Sequence, residues 1–246
     1  SPAIGVLSGA VLTHYWGYRG VFGGLALLAA LQLGYAGWQL PETRPQRIVQ
    51  STFFETLGRM TKDGDIWISA LLVAFFNICM FSYYQLAPFH FSALGLSTQW
   101  FGYTGFVLAA GVGMGAAINK FLIGKNWLFP AQLTLACILS LTGAVLVLLL
   151  EATVWFVLPM MLVVMAYGIA IPNILARALR HYKDCLGTAG AILSLMYYLM
   201  LGGGLVLAGL SQNLGAVLTL CSLSLLLLGW CVTSVDWRCL KVEMPE

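Results

Sequence analysis

The sequence predicts an all-α, polytopic membrane protein, and three observations support this fold class. The chain is 60% hydrophobic and only 9% charged, whereas a soluble domain carries about 25% charged residues. Its uncharged runs are long enough for helices of about 20 residues that cross a bilayer. They also lack the alternation of apolar and polar residues that is typical of barrel strands. One polar segment, residues 41–65, separates two apolar blocks.

The uncharged runs predict about seven full transmembrane helices and one partial helix. In chain order they are residues 1–18, 20–41, 66–119, 126–150, 152–176 and 185–235. The first run is predicted to be the partial helix, because interfacial residues already appear at His14. The third and sixth runs are long enough for two helices each. We expect them to break near residues 90–100 and 211–213, where Gly, Ser, Thr or Asn collect.

The Lys and Arg residues predict the orientation of these helices. With residues 41–65 in the cytoplasm, eleven of the twelve basic side chains fall on the cytoplasmic side and Arg19 alone falls outside. This bias follows the positive-inside rule. The sequence therefore predicts a multi-pass protein of the cell inner (plasma) membrane, in contact with the lipid bilayer. The central loop (41–65) and the C-terminal tail (236–246) are expected in the cytoplasm.

Several function classes have no support in the sequence. The six cysteines form no CxxC pair and have no His at ligand spacing, so we expect no metal site and no cofactor. Neither a phosphate-binding GxxxxGK[ST] loop nor an HExxH motif is present, which disfavours ATP-driven transport and intramembrane hydrolysis. We expect neither an enzyme nor a nucleic-acid-binding protein.

Four short motifs resemble those of a known transporter family. They are Ser1-Pro2-Ala3-Ile4-Gly5, Gly17-Tyr18-Arg19-Gly20-Val21-Phe22, Leu40-Pro41-Glu42-Thr43 and Gly187-Thr188-Ala189-Gly190-Ala191. In this order they resemble the major facilitator superfamily, and within it the drug:proton antiporters of the bicyclomycin and chloramphenicol resistance subgroup. Pro2 and Gly5 match the antiporter motif of the fifth helix in that family.

The resemblance implies a domain organisation and an activity. Residues 1–40 would be the end of the N-terminal transporter half (partial helix five and helix six), and residues 66–235 the C-terminal six-helix half. The implied activity is proton-coupled efflux of small amphipathic or apolar drugs. Because the chain starts without Met inside apolar sequence, we expect an upstream part of the same protein. That part would carry the proton-binding residue, and the 246 residues alone would insert without transporting.

Uncharged polar and aromatic residues in the predicted helices are the candidates for a substrate cavity. Asn77, Phe81 and Tyr84 share one helix face by their spacing, and Gln85 lies beside it. The competing interpretation is packing between helices. The other candidates lie later in the chain: Asn173 after Pro172, and Met196 and Tyr197 before three glycines.

Other residues are interpreted structurally. Asn173 is expected to satisfy backbone carbonyls that Pro172 leaves free. Small residues every fourth position (Gly105, Ala109, Gly113, Ala117), together with Gly111 and Gly115, predict a packing seam. His90 is expected at the surface and Glu151 at an outer helix end. Two alternatives to drug efflux remain: import of a metabolite by a related transporter, and a membrane scaffold or sensor without transport.

Overall fold

The computed structural model of the protein describes residues 2–41, 52–96 and 98–242, which contain helices and no strand. The all-α fold class is therefore confirmed for this part of the chain. The eight α-helices of the described residues are α1 (Pro2–Gln39), α2 (Phe53–Lys62), α3 (Gly64–Ala93), α4 (Thr98–Gly124), α5 (Phe129–Leu150), α6 (Val157–Ala178), α7 (Leu186–Ser211) and α8 (Leu214–Val242). Short 3-10 turns at Val154–Phe156 and Lys183–Cys185 precede α6 and α7.

Seven segments of the described residues are long and apolar enough to cross a membrane, as predicted. The two long uncharged runs divide where expected. α3 ends at Ala93 before α4 begins at Thr98, and α7 ends at Ser211 before α8 begins at Leu214. The start of α3 is capped by Asp63, whose side chain accepts a hydrogen bond from the Asp65 backbone N–H.

The predicted partial helix and the first full helix are the two parts of α1. Gly17 has a φ of 61° and interrupts the helical geometry, a conformation that glycine adopts without the steric cost of a side chain. The chain folds back there, as the closeness of Gly24 to Leu12 shows. A Cβ added at Gly24 would lie 2.9 Å from Leu12 Cδ1, twelve residues earlier. α1 packs against α4, and most of its large apolar side chains are exposed.

The remaining spanning helices form a bundle with one main apolar core. α5 packs against α6 and α8, α4 packs against α6, and α3 contacts α6, α7 and α8. Inside this core the Ser140 and Ser222 hydroxyls lie 2.8 Å apart and join α5 to α8 by a buried hydrogen bond. Such bonds between helices stabilise membrane bundles by about 0.6–2 kcal/mol.

The central segment differs from the continuous polar loop expected from the sequence. Its second half folds as α2, whose Thr56 and Met60 side chains are fully buried. They pack toward the N-terminal ends of α3 and α7. Parts of the predicted regions lie outside the described residues: Ser1 of the first motif, residues 42–51 of the central loop, Ser97, and residues 243–246 of the tail.

Candidate functional site

A groove of about 560 Å³ opens between α3 and α7. Its lining residues are Phe81, Tyr84, Gln85, Gly202, Leu205 and Val206. Three of the predicted cavity residues, Phe81, Tyr84 and Gln85, therefore meet in one groove. Apolar side chains with a few polar groups are the usual lining of a small-molecule site.

The α3 side of the groove is aromatic and has polar groups without charge. The Phe81 and Tyr84 rings lie 6.2 Å apart at an angle of 56°, because residues three apart share a helix face. The Tyr84 hydroxyl is buried and has no hydrogen-bond partner in the described part of the protein. The polar group of this side that the groove can reach is therefore the amide of Gln85, which is exposed.

The α7 side of the groove is shaped by glycines that have different surroundings. Gly204 packs against the Ile78 side chain, and a Cβ added at Gly209 would lie 2.7 Å from Gln85 Nε2. These two glycines let α3 and α7 approach closely. Gly202 and Gly203 lie against open space, because an added Cβ there would meet no atom within 4 Å. Only Gly202 of this second pair lines the groove.

Asn77 lies on the same helix as the groove residues but does not line the groove. It is buried, with 6% of its surface exposed, and its Nδ2 donates a hydrogen bond to the Val73 carbonyl at 2.7 Å. The amide is thus satisfied by its own helix.

Asn173 lies at the contact between α4 and α6. Its Nδ2 donates to Asn119 Oδ1 at 2.7 Å and to the Ile169 carbonyl at 2.8 Å. Pro172 has no N–H, so the carbonyl that it leaves without a helical partner is that of Gly168. The expectation that Asn173 satisfies this freed carbonyl is wrong, because its amide bonds the next carbonyl, that of Ile169. The geometry of Asn173 is therefore that of a residue joining two helices.

Met196 and Tyr197 lie nearer the N-terminal end of α7 than the groove. A second, smaller apolar cluster beneath α2 includes Met60, Ile66 and Tyr182. Met196 packs against this cluster, and Tyr197 packs against both this cluster and the main core. The Tyr197 and Tyr198 ring centroids are 4.5 Å apart. Tyr167 of α6, which the sequence analysis missed, packs against the same main core as Tyr84 and Tyr197. Residue spacing within one helix gives no signal for this grouping, because the grouping depends on which helices are neighbours.

The two antiporter-motif candidates belong to the first part of α1. Gly5 is exposed, and a Cβ added there would meet no atom within 4 Å. The backbone at Pro2 is helical.

One end of the bundle carries a polar network between α2 and the turn that links α6 to α7. Arg59 Nη1 lies 3.0 Å from Asp184 Oδ2, and the Tyr182 hydroxyl donates to Asp63 Oδ2 at 2.9 Å. The hydrogen bond to Asp184 raises the pKa of Arg59. Burial, and then the hydrogen bond to Asp63, raise the pKa of Tyr182 to about 12.

The opposite end carries a second polar pair. His90 Nε2 lies 2.9 Å from the Glu151 carbonyl oxygen and 3.5 Å from Glu151 Oε1. His90 is partly exposed, with 22% of its side-chain surface accessible, and its ring packs edge-on against Phe156. The two residues are 61 positions apart, so only the tertiary packing of the bundle brings them together.

Comparison with known proteins gives a family and several transporter relatives. The sequence model of the Major Facilitator Superfamily matches residues 1–206. An "uncharacterized transporter" of Rickettsia bellii (strain RML369-C) is 28% identical over 218 residues, which cover 81% of this chain and 54% of that protein. A second, from Rickettsia felis (strain ATCC VR-1525 / URRWXCal2), is 27% identical over 81% of this chain and 53% of its own length.

A further relative has a name that refers to a drug. The "chloramphenicol resistance protein" of Pseudomonas aeruginosa is 28% identical over 225 residues, which cover 86% of this chain and 52% of that protein. The chain spans about half the length of the curated relatives it matches.

Proposed function

Because the chain belongs to the Major Facilitator Superfamily, we propose that it acts in secondary active transport of small organic molecules across a membrane. The groove between α3 and α7 is the observation that carries this proposal. Transporters of this kind bind substrate near the middle of the bilayer and move one group of helices against another. In this proposal, residues 66–235 form the C-terminal six-helix half of the transporter, and residues 1–40 form the end of its N-terminal half.

We propose proton-coupled efflux of small amphipathic or apolar drugs as the specific activity. The name of the Pseudomonas aeruginosa relative supports this class of substrate. The groove supports it as well, since Phe81, Tyr84 and Gln85 offer aromatic surface and one amide without a formal charge. A charged substrate would lose its hydration there without gaining an ionic partner.

The proposed orientation puts α2 and the C-terminal tail in the cytoplasm of a cell whose inner membrane holds the protein. Several basic residues lie at the same end of the bundle. Arg177 lies over the Phe129 ring at 4.8 Å, and Arg59 pairs with Asp184, so the start of α5 and the α6–α7 turn are at the same end as α2. The positive-inside rule assigns such an end to the cytoplasm.

A pair of glycine substitutions tests the role of the groove. We expect Gly202→Leu to reduce transport of a bulky substrate about tenfold or more, because the new side chain occupies the groove and steric changes in apolar pockets have effects of this size. Transport is measured as accumulation and efflux of labelled chloramphenicol and of fluorescent amphipathic dyes. The cells carry the complete reading frame that encodes the chain, and the assay includes an imposed proton gradient.

Gly203→Leu is the matched control. It lies on the same helix turn in equally open space but outside the groove, so we expect transport close to that of the unmodified protein. Membrane levels of both variants are measured by immunoblotting. Equal loss of transport in both variants at normal membrane levels would contradict the proposal, and accumulation in place of efflux would favour import.

A further inference from the structure

The helix α2 is too short to cross a membrane, and it is amphipathic. One face carries the buried Thr56 and Met60 side chains, which pack toward the ends of α3 and α7. Glu55 and Lys62 lie on another face, seven residues apart, and both are exposed. Because seven residues make almost two complete helical turns, these two polar side chains point in nearly the same direction.

A third face of α2 exposes aromatic surface that the bundle does not cover. Phe54 is 77% exposed and Phe53 is 48% exposed, and their rings pack edge to face with centroids 5.5 Å apart. The helix turns Phe54 away from the buried face and also away from Glu55. Two exposed phenylalanines side by side would be unfavourable in water.

The indole of Trp67 shows the level at which this aromatic face lies. Thr61 lies in the last turn of α2. Trp67 Nε1 donates a hydrogen bond to the Thr61 carbonyl at 2.9 Å. Trp67 is itself 42% exposed, and it stands in the first turn of α3, a membrane-spanning helix. Tryptophans at such positions lie in the headgroup region of the bilayer.

We propose that α2 lies in the membrane–water interface and inserts Phe54, with Phe53 beside it, into the boundary between lipid headgroups and acyl chains. The partner of this surface is the lipid bilayer. Trp67 marks the headgroup level on α3, and its hydrogen bond to the Thr61 carbonyl holds the C-terminal end of α2 at the same level. Glu55 and Lys62 then face water and headgroups, as is usual for an interfacial amphipathic helix.

The polar network holds α2 in this position. The Arg59–Asp184 ion pair and the hydrogen bond from Tyr182 to Asp63 join α2 and its following turn to the α6–α7 turn. Tyr182 also packs beneath the Arg59 guanidinium, whose Cζ lies 5.2 Å from the ring centroid. The orientation of α2 about its axis is thereby fixed on the bundle, and this placement does not depend on what the protein transports.

Photo-crosslinking of the whole chain in lipid nanodiscs tests this placement. A benzophenone-bearing phenylalanine analogue replaces Phe54, Glu55 or, as a positive control, Leu227 of α8, which is 70% exposed on a spanning helix. After irradiation, mass spectrometry measures lipid adducts on the protein. We expect position 54 to form lipid adducts at a yield comparable with position 227, and position 55 to form several-fold fewer.

Two results would overturn the proposal. Equal lipid yields at positions 54 and 55 would show that α2 has no preferred face toward the bilayer. Adducts to polypeptide at position 54, in nanodiscs or in cells with the complete reading frame, would show that a protein segment covers the aromatic pair instead. Circular dichroism of each labelled protein verifies that the bundle is folded, so that a low yield at position 54 also counts against the proposal.

Discussion

Two helix pairs in this bundle contain mid-helix glycines and use them differently. Between α4 and α6, a Cβ added at Gly111 would lie 2.5 Å from Val164 Cγ2, and Gly115 packs directly against the Met165 backbone. Between α3 and α7, Gly204 packs against a side chain, whereas Gly202 faces open space in the groove. The same residue type therefore closes a contact at some positions and leaves space at another, according to what stands opposite.

The difference has a physical basis in the second helix of each pair. Gly168 of α6 approaches the Val112 carbonyl and the Ala116 backbone of α4, so two backbones meet with little between them. On α3, by contrast, the large side chains of Phe81 and Tyr84 keep part of α7 away. Small residues on both helices give a tight seam, whereas small residues opposite aromatic ones leave a groove.

The largest effect should come from filling the tight seam. We expect Gly115→Ala to reduce the free energy of unfolding by about 1–3 kcal/mol, the usual range for an overpacked core. We expect a loss at the upper end of this range, because the atoms of Met165 that face Gly115 are backbone atoms, which cannot rotate away. The measurement is SDS unfolding of the purified protein in mixed micelles, followed by circular dichroism.

Gly113→Ala on the same helix is the control for this prediction. An added Cβ there meets no atom within 4 Å, so the substitution brings only the better helix propensity of alanine, worth up to about 1 kcal/mol. We expect no loss of stability. Unfolding of both variants at the same SDS concentration would contradict the close approach of α4 and α6 at Gly115.

These glycines also show how far the sequence predicts the packing. The fourth-residue repeat correctly indicates that α4 carries a packing seam, but it is wrong for Gly113 and Ala117, which are exposed. Gly111 and Gly115, which the prediction also included, make the contact. Both sets repeat with helical spacing, and only the rotation of α4 against α6 decides between them. That rotation depends on side chains of the other helix, which local periodicity does not contain.

The groove was predictable on one side only. Helical spacing puts Phe81, Tyr84 and Gln85 together because these residues belong to one helix. Leu205 and Val206 could not be assigned from the sequence, because any apolar residue of any spanning helix fits their description equally well. The helix count was predictable for a simpler reason: long uncharged runs have few structures available in a bilayer.

An intermediate effect is expected where α4 and α6 are joined by polar groups. We expect Asn173→Ala to reduce the free energy of unfolding by about 1–2 kcal/mol, because it removes the bond to Asn119 and leaves a buried amide oxygen without that donor. The same SDS titration measures this loss. The double variant Asn119→Ala/Asn173→Ala is the control, and it should be no less stable than Asn173→Ala alone. A double variant that loses the sum of both single effects would show that the two amides do not interact.

The smallest effect should come from the corresponding substitution between α3 and α7, Gly204→Ala. A Cβ at this position would crowd Ile78, through Cδ1 and, at 2.9 Å, through Cγ1. Both are side-chain atoms, and displacing a side chain by about 30° from its rotamer costs about 0.5–1.5 kcal/mol. The helix propensity gained by replacing glycine with alanine offsets about 1 kcal/mol of this cost. We therefore expect a change within about 0.5 kcal/mol in the SDS titration, well below that of Gly115→Ala, where the same gain meets a rigid backbone. A loss at Gly204 as large as that at Gly115 would mean that α3 and α7 are held as tightly as α4 and α6. The groove could then not adjust to molecules of different shape.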